Sequence, residues 1–182
     1  MAGLFRGERR FALWLLILTG IILRFLPALQ ADFPLNDGGM FLIMIRDLKR
    51  SRFILPEVTS YNLANYPFAY PPLGMYLAGW LSAWFGFTEL ELLRWLPAII
   101  GAMIVPVFYW LSFQVFEDRT KSFIAAALFA VLPGSFDWLV MGGGLSRSFG
   151  ILFFLAAVGY AVRLFRGGTR RSLLPGILFS SL

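Results

Sequence analysis

The 182-residue chain has no cysteine and no histidine, and only 14% of its residues are charged. Without cysteine there is no disulfide framework and no thiolate nucleophile, and without either residue the usual zinc and haem ligands are missing. Any metal the chain holds must sit on oxygen, which restricts the choice to hard cations such as magnesium, calcium or manganese. No P-loop, zinc motif, nucleophile elbow or internal repeat is present. What is abundant is apolar: 59% hydrophobic residues and 18% aromatics, a composition foreign to a soluble domain of this length. The chain therefore reads as an all-α integral membrane protein. Its net charge of +6 lies beside apolar runs, which fits loops at a membrane surface rather than a nucleic-acid face.

The first apolar run, Phe11 to Leu29, is long enough at 1.5 Å per residue to cross a hydrocarbon core of about 30 Å. Arg6, Arg9 and Arg10 precede it and are expected to hold the N-terminus in the cytoplasm. The run is too long for a cleaved signal and lacks a small-residue cleavage site, so it reads as an uncleaved helix. Further apolar runs follow at Pro71–Phe87, Trp95–Phe116, Ser122–Val140, Phe149–Phe165 and Leu173–Leu182. If Pro71–Phe87 crossed the membrane, the basic residues outside the helices would divide 5 inside to 10 outside. If it lies along the outer surface, Arg6, Arg9, Arg10, Arg119, Lys121, Arg163, Arg166, Arg170 and Arg171 fall inside, nine against six, and the positive-inside rule favours that arrangement. The expectation is a multi-pass protein of the cell membrane with about five transmembrane segments, forming a single module over 1–182.

In that topology a long outer loop, 30–94, carries two surface helices, 38–50 and 72–85. Phe41, Met44, Ile45 and Leu48 recur at i, i+3, i+4 and i+7, an apolar stripe expected to lie in the membrane interface. Pro133-Gly134 breaks the outer end of the third span, so a second outer loop, 134–148, faces the first. Glu117-Asp118-Arg119-Thr120-Lys121 forms a tight cytoplasmic turn. Leu173–Leu182 covers only about 15 Å as a helix, so the chain is expected to be the N-terminal part of a longer protein or to be completed by a partner.

The candidate chemistry clusters in these loops. Asp37 follows Asn36 and precedes Gly38-Gly39. It can be a plain N-cap for the helix at 38, or, because two glycines let backbone approach a ligand, a carboxylate for proton abstraction or metal binding. Arg24 sits within the first span, where a cation must snorkel, pair, or meet a substrate phosphate. Asp137 and Arg147 flank Met141-Gly142-Gly143-Gly144-Leu145; they can form an ordinary solvated ion pair or bound a glycine turn that offers amides to phosphate. Tyr61, Tyr66, Phe68 and Tyr70 with Asn62 and Asn65 are either interfacial aromatics or the flat faces and amides that sugar sites use.

Four features in this order resemble the N-terminal module of the GT-C superfamily of membrane glycosyltransferases, which includes protein O-mannosyltransferases, aminoarabinose transferases and oligosaccharyltransferase catalytic subunits. They are Asp37-Gly38-Gly39-Met40-Phe41 after the first span, Tyr70-Pro71-Pro72-Leu73-Gly74 opening a surface helix, Arg94-Trp95-Leu96-Pro97-Ala98 opening the second span, and Leu132-Pro133 with Ser146-Arg147-Ser148 after the third. The resemblance covers nearly the whole chain. It implies a GT-C-like helical bundle that transfers a sugar from a polyprenyl-phosphate donor to a protein or lipid acceptor at the outer face, with Asp37 catalytic.

Asn36, Tyr70, Asp137, Arg147 and Arg24 are the expected substrate-binding residues, the arginines as phosphate contacts. A magnesium or manganese ion on Asp37 and Asp137 is the one cofactor the resemblance admits. Gly38 stands where relatives often carry a second acid, and Phe149, Gly150, Ile151 and Leu152 stand where oligosaccharyltransferase-like acids would follow, so proton abstraction is expected before metal binding. Expected partners are membrane lipid, the lipid-linked donor and other membrane subunits or a further C-terminal region, with no nucleic acid. The alternatives are a non-catalytic transmembrane scaffold subunit and a transporter of lipid-linked substrates.

Overall fold

A computed structural model describes residues 2–31, 36–139, 141, 144–167 and 173–181. The expectations that rest on Phe33–Leu35, Gly142, Gly143, Arg170 and Arg171 lie outside these residues. The chain is almost wholly helical: α1 (Ala2–Gln30), α2 (Gly38–Arg50), α3 (Leu73–Phe85), α4 (Glu89–Phe116), α5 (Arg119–Val131), α6 (Gly144–Phe165) and α7 (Leu173–Ser181). Single 3₁₀ turns cover Tyr61–Leu63, Pro133–Ser135 and Asp137–Leu139. A two-residue antiparallel pair, β1 (Val58–Thr59) with β2 (Tyr66–Pro67), was not anticipated.

Among the described residues, three helices are long and apolar enough to cross a membrane: Phe11–Gln30, Glu89–Phe116 and Gly144–Phe165. A fourth is reached if α5 and the following Pro133–Leu139 are taken as one span bent by 91°. Three or four, rather than about five, is the result. The break expected at Pro133-Gly134 is present: α5 ends before Leu132, which is extended (φ −70°, ψ 118°) because a residue before proline avoids the helical region and Pro133 has no N–H to continue the ladder. At 13 residues α3 is about 20 Å long, too short to span. The second long helix begins six residues earlier than its apolar run, because Thr88 and Glu91 form a capping box in which each side chain accepts the other's backbone N–H, at 2.9 and 3.2 Å.

The chain divides into two compact units. The first comprises Met1–Arg24, Gly101–Phe136 and Gly150–Leu182. Its core packs Leu16, Val105, Ala126 and Ala130 with Phe108, Tyr109 and Phe123, and Phe108 stacks on Phe129 at 4.0 Å between ring centres. Trp110 lies against α6, where a side-chain carbon at Gly159 would sit 2.1 Å from its ring. Asp118 caps α5 by accepting the Thr120 and Lys121 amides, as a turn with an acid at its helix-facing end should.

The second unit comprises Phe25–Ile100 and Asp137–Phe149. Phe41, Met44, Ile45 and Leu48 of α2 are essentially inaccessible, packed with Met75 and Ala78 of α3, Leu92, Leu93 and Leu96 of α4, and Leu145. The apolar stripe of α2 is thus taken up by protein and is not left for the membrane interface. A helical stripe specifies that one face is buried; it does not specify whether lipid or another helix covers it. The polar face is tied down as well, with Lys49 Nζ donating to Ser82 Oγ at 2.7 Å and to Glu89 Oε1 at 2.6 Å.

The Gly159–Trp110 approach yields a direct test. Gly159→Ala should lower stability in detergent by about 1–3 kcal/mol, the usual cost of overpacking a filled interior, whereas Gly134→Ala, where an added carbon meets nothing within 4 Å, should leave the thermal midpoint within about 1 °C.

Candidate functional site

Asp37 occupies the N-cap position of α2, and its carbonyl accepts from the Phe41 amide at 3.1 Å, but its side chain makes no capping bond. The carboxylate is exposed and unengaged among the described residues. Asn36, next to it, is held in the left-handed region (φ 59°), which asparagine tolerates better than most residues. Its amide nitrogen approaches the Met141 sulfur at 3.2 Å. The turn before α2 and the segment before α6 therefore meet.

Two further contacts join the same segments. Ser146 Oγ donates to the Pro71 carbonyl at 3.0 Å, and Leu145 packs so closely on Gly74 that an added side-chain carbon would sit 2.8 Å from Leu145 Cγ. Tyr70 precedes Pro71 and lies edge-on to Phe41, 4.8 Å between ring centres; Arg147 follows Ser146. Arg147 belongs to the first turn of α6 and not to a loop. It donates to the Trp138 carbonyl at 2.7 Å and covers the Trp138 ring at 5.4 Å. Asp137, the neighbour of Trp138, is exposed and forms no ion pair with Arg147 among the described residues, so the expected pairing of these two charges is replaced by a carbonyl bond and a cation–π contact. Asn36, Tyr70 and Arg147 each make a contact within the second unit, with Met141, Phe41 and Trp138 in turn, and Asp37 and Asp137 are chain neighbours of Asn36 and Trp138.

Arg24 belongs to the first unit. It does not snorkel, being 1% exposed, and among the described residues it pairs with no carboxylate: Nη1 donates to the carbonyls of Gly20 and Ala130 at 3.2 Å each and Nη2 to Ser135 Oγ at 3.1 Å. The Phe129 and Phe136 rings lie 5.8 and 5.2 Å from the guanidinium. Ala130 is in the last turn of α5, where the proline break leaves carbonyls without helical partners. Arg24 serves there as a C-terminal cap, a role the sequence does not reveal because the partner is 106 residues away. Its Nε has no partner among the described residues.

Asp47 is the buried acid that sequence reading passed over. It accepts from Thr59 Oγ1 at 2.8 Å, from the Ser60 amide at 2.7 Å and from Ser60 Oγ at 2.7 Å, which latches the β1–β2 hairpin to α2. Burial pushes its pKa up, but the Ser60 side-chain and backbone bonds, the Thr59 bond and the nearby Arg50 outweigh that and leave it below the usual carboxylate value. The only hint in the sequence is an acid on α2 followed, a dozen residues on, by Thr59-Ser60.

Among the described residues no three acidic side chains converge as a metal-ligand set. A groove of about 590 Å³ between α6 and α7, lined by Phe153, Phe154, Tyr160, Gly176 and Ile177 among others, contains none of the candidate residues. Comparison with family models, curated proteins and solved structures returns no match.

Two variants test these assignments. Arg24→Ala should cost about 2 kcal/mol or more in detergent, because the Ala130 carbonyl and Ser135 lose their donor. Arg24→Lys should not restore it, since an ammonium cannot reproduce the fork that reaches three acceptors. For Asp47, a depressed folded pKa means that its stabilisation is complete above the unfolded value near 4 and is lost as pH falls through the folded value. The stability gap between the native chain and Asp47→Asn, about 2 kcal/mol at neutral pH, should hold down to about pH 5 and close below about pH 4 in thermal melts.

Proposed function

We propose that the chain is a membrane glycosyltransferase module that transfers a sugar from a polyprenyl-phosphate donor to a protein or lipid acceptor at the outer face, with Asp37 as the base. The observation that carries this reading is the Asp37 carboxylate itself. It stands at a helix N-terminus, is not used as a cap, and lies on a turn that touches the segment leading into α6 through Asn36 and Met141. An acid kept free of structural duty at the start of a helix is available for proton abstraction.

In the proposed step Asp37 takes the proton of the acceptor hydroxyl as its oxygen bonds to the sugar's anomeric carbon. The bond from that carbon to the carrier phosphate breaks, and the phosphate leaves with the electron pair. Arg147 keeps guanidinium donors beyond the one given to Trp138, which suits the charge that develops on the leaving phosphate. Arg24, with its Nη donors engaged, is assigned to holding the α5 break. No step is routed through a metal ion.

Asp37→Asn in the full chain should reduce transfer from polyprenyl-phosphate sugars by about 100-fold or more without changing the thermal midpoint. Unchanged transfer would sink the enzymatic reading and leave the scaffold subunit in its place.

A further inference from the structure

The hairpin between β1 and β2 turns through an exposed segment that no structural role above accounts for. Asn62, Leu63 and Asn65 all adopt left-handed backbone (φ 52°, 56° and 51°), and Leu63 is 89% exposed. Strain of this kind persists only where the surroundings over-determine the conformation. The three bonds from Thr59 and Ser60 to Asp47 and the β1–β2 pairing fix both ends of the turn. The latch also fixes Tyr61. A side-chain carbon at Gly39 would sit 3.7 Å from Tyr61 Cε2, so the tyrosine edge lies over the first turn of α2, whose cap residue is Asp37.

The groups presented are chemically selective. Tyr61 is half-buried, and among the described residues it enters no aromatic pair and its hydroxyl and the side-chain amides of the exposed Asn62 and Asn65 make no hydrogen bond. An aromatic ring offers an electron-rich face to polarised C–H bonds, and each free amide offers two donors and an acceptor. A flat C–H face ringed by hydroxyls is the chemistry of a pyranose. We infer that the Tyr61–Asn65 turn is a sugar-binding wall beside Asp37, with Tyr61 as the platform and Asn62 and Asn65 as hydroxyl readers. This rests on the glycosyltransferase reading and adds to it the residues that select the sugar.

The test uses the full chain in nanodiscs and saturation-transfer NMR, with methyl α-mannopyranoside and mannose 1-phosphate as probes. Both should give transfer signals with the native chain and with Tyr61→Phe. Tyr61→Ala should weaken binding about fivefold or more, the scale of one aromatic contact, and so should the double variant Asn62→Gly/Asn65→Gly, whose side chains are exposed and where glycine accepts the left-handed backbone, so that the melting point should not move. A preference for mannose 1-phosphate assigns the wall to the donor sugar, and equal binding of the two probes assigns it to an acceptor sugar. No signal with the native chain, or undiminished signal with Tyr61→Ala and the double glycine variant, overturns the inference. Asp37→Asn separates the two claims: it should retain probe binding while losing transfer, and normal transfer by that variant would refute the enzymatic reading alone.

Discussion

The last carbonyls of a helix have no intrahelical donor, and within a hydrocarbon layer no water supplies one. This chain answers with arginine at three helix ends. Arg94 donates to the carbonyls of Ala28 and Leu29 at the end of α1. Arg166 reaches those of Gln114 and Val115 at the end of α4 and pairs with Glu117. Arg24 reaches that of Ala130 at the end of α5. A guanidinium suits the task because its fork satisfies several acceptors at once and its charge opposes the negative end of the helix dipole. Arg94 and Arg166, which the sequence reading counted toward membrane sidedness, close two of these ends.

The candidate site depends on a second device, the seating of the first turn of α6 on the start of α3. Gly74 lets Leu145 approach, Ser146 binds the Pro71 carbonyl, and Asn36 meets Met141. These contacts join the chain beside Asn36, the start of α3 and the stretch from Met141 to Ser146 within the second unit. Asp47 adds the hairpin to the same unit by satisfying two hydroxyls and an amide, and a buried carboxylate is tolerated there because its oxygens are bonded. The surface helices are therefore a packed structure in their own right, with Lys49, Ser82 and Glu89 joining α2, α3 and α4.

Much of the architecture was legible. The periodicity around Phe41 and Leu48 placed α2 at its observed limits, and two prolines and Gly86 bracketed α3 within a residue. The Thr88–Glu91 capping box was written in the sequence and would have started α4 correctly. The proline at 133 announced a break, but α5 stops earlier than the apolar run suggested, because hydropathy measures solvent preference and not backbone continuity. The hairpin at β1 and β2 left no signal: two residues per strand carry no alternation to detect.

Composition and pattern alone determined an all-helical protein with several membrane-length apolar helices, and named Asp37, Arg24, Asn36, Tyr70, Asp137 and Arg147 as candidates, since residue type and local spacing are properties of the chain itself. Tertiary structure decided what each of them touches. It showed that the α2 stripe is covered by protein, that Arg24 closes the end of α5, that Arg147 covers Trp138 without pairing with Asp137, and that Asp47 anchors the hairpin. Burial and hydrogen-bond partnership depend on residues up to 106 positions apart, and no local pattern encodes contacts at that separation.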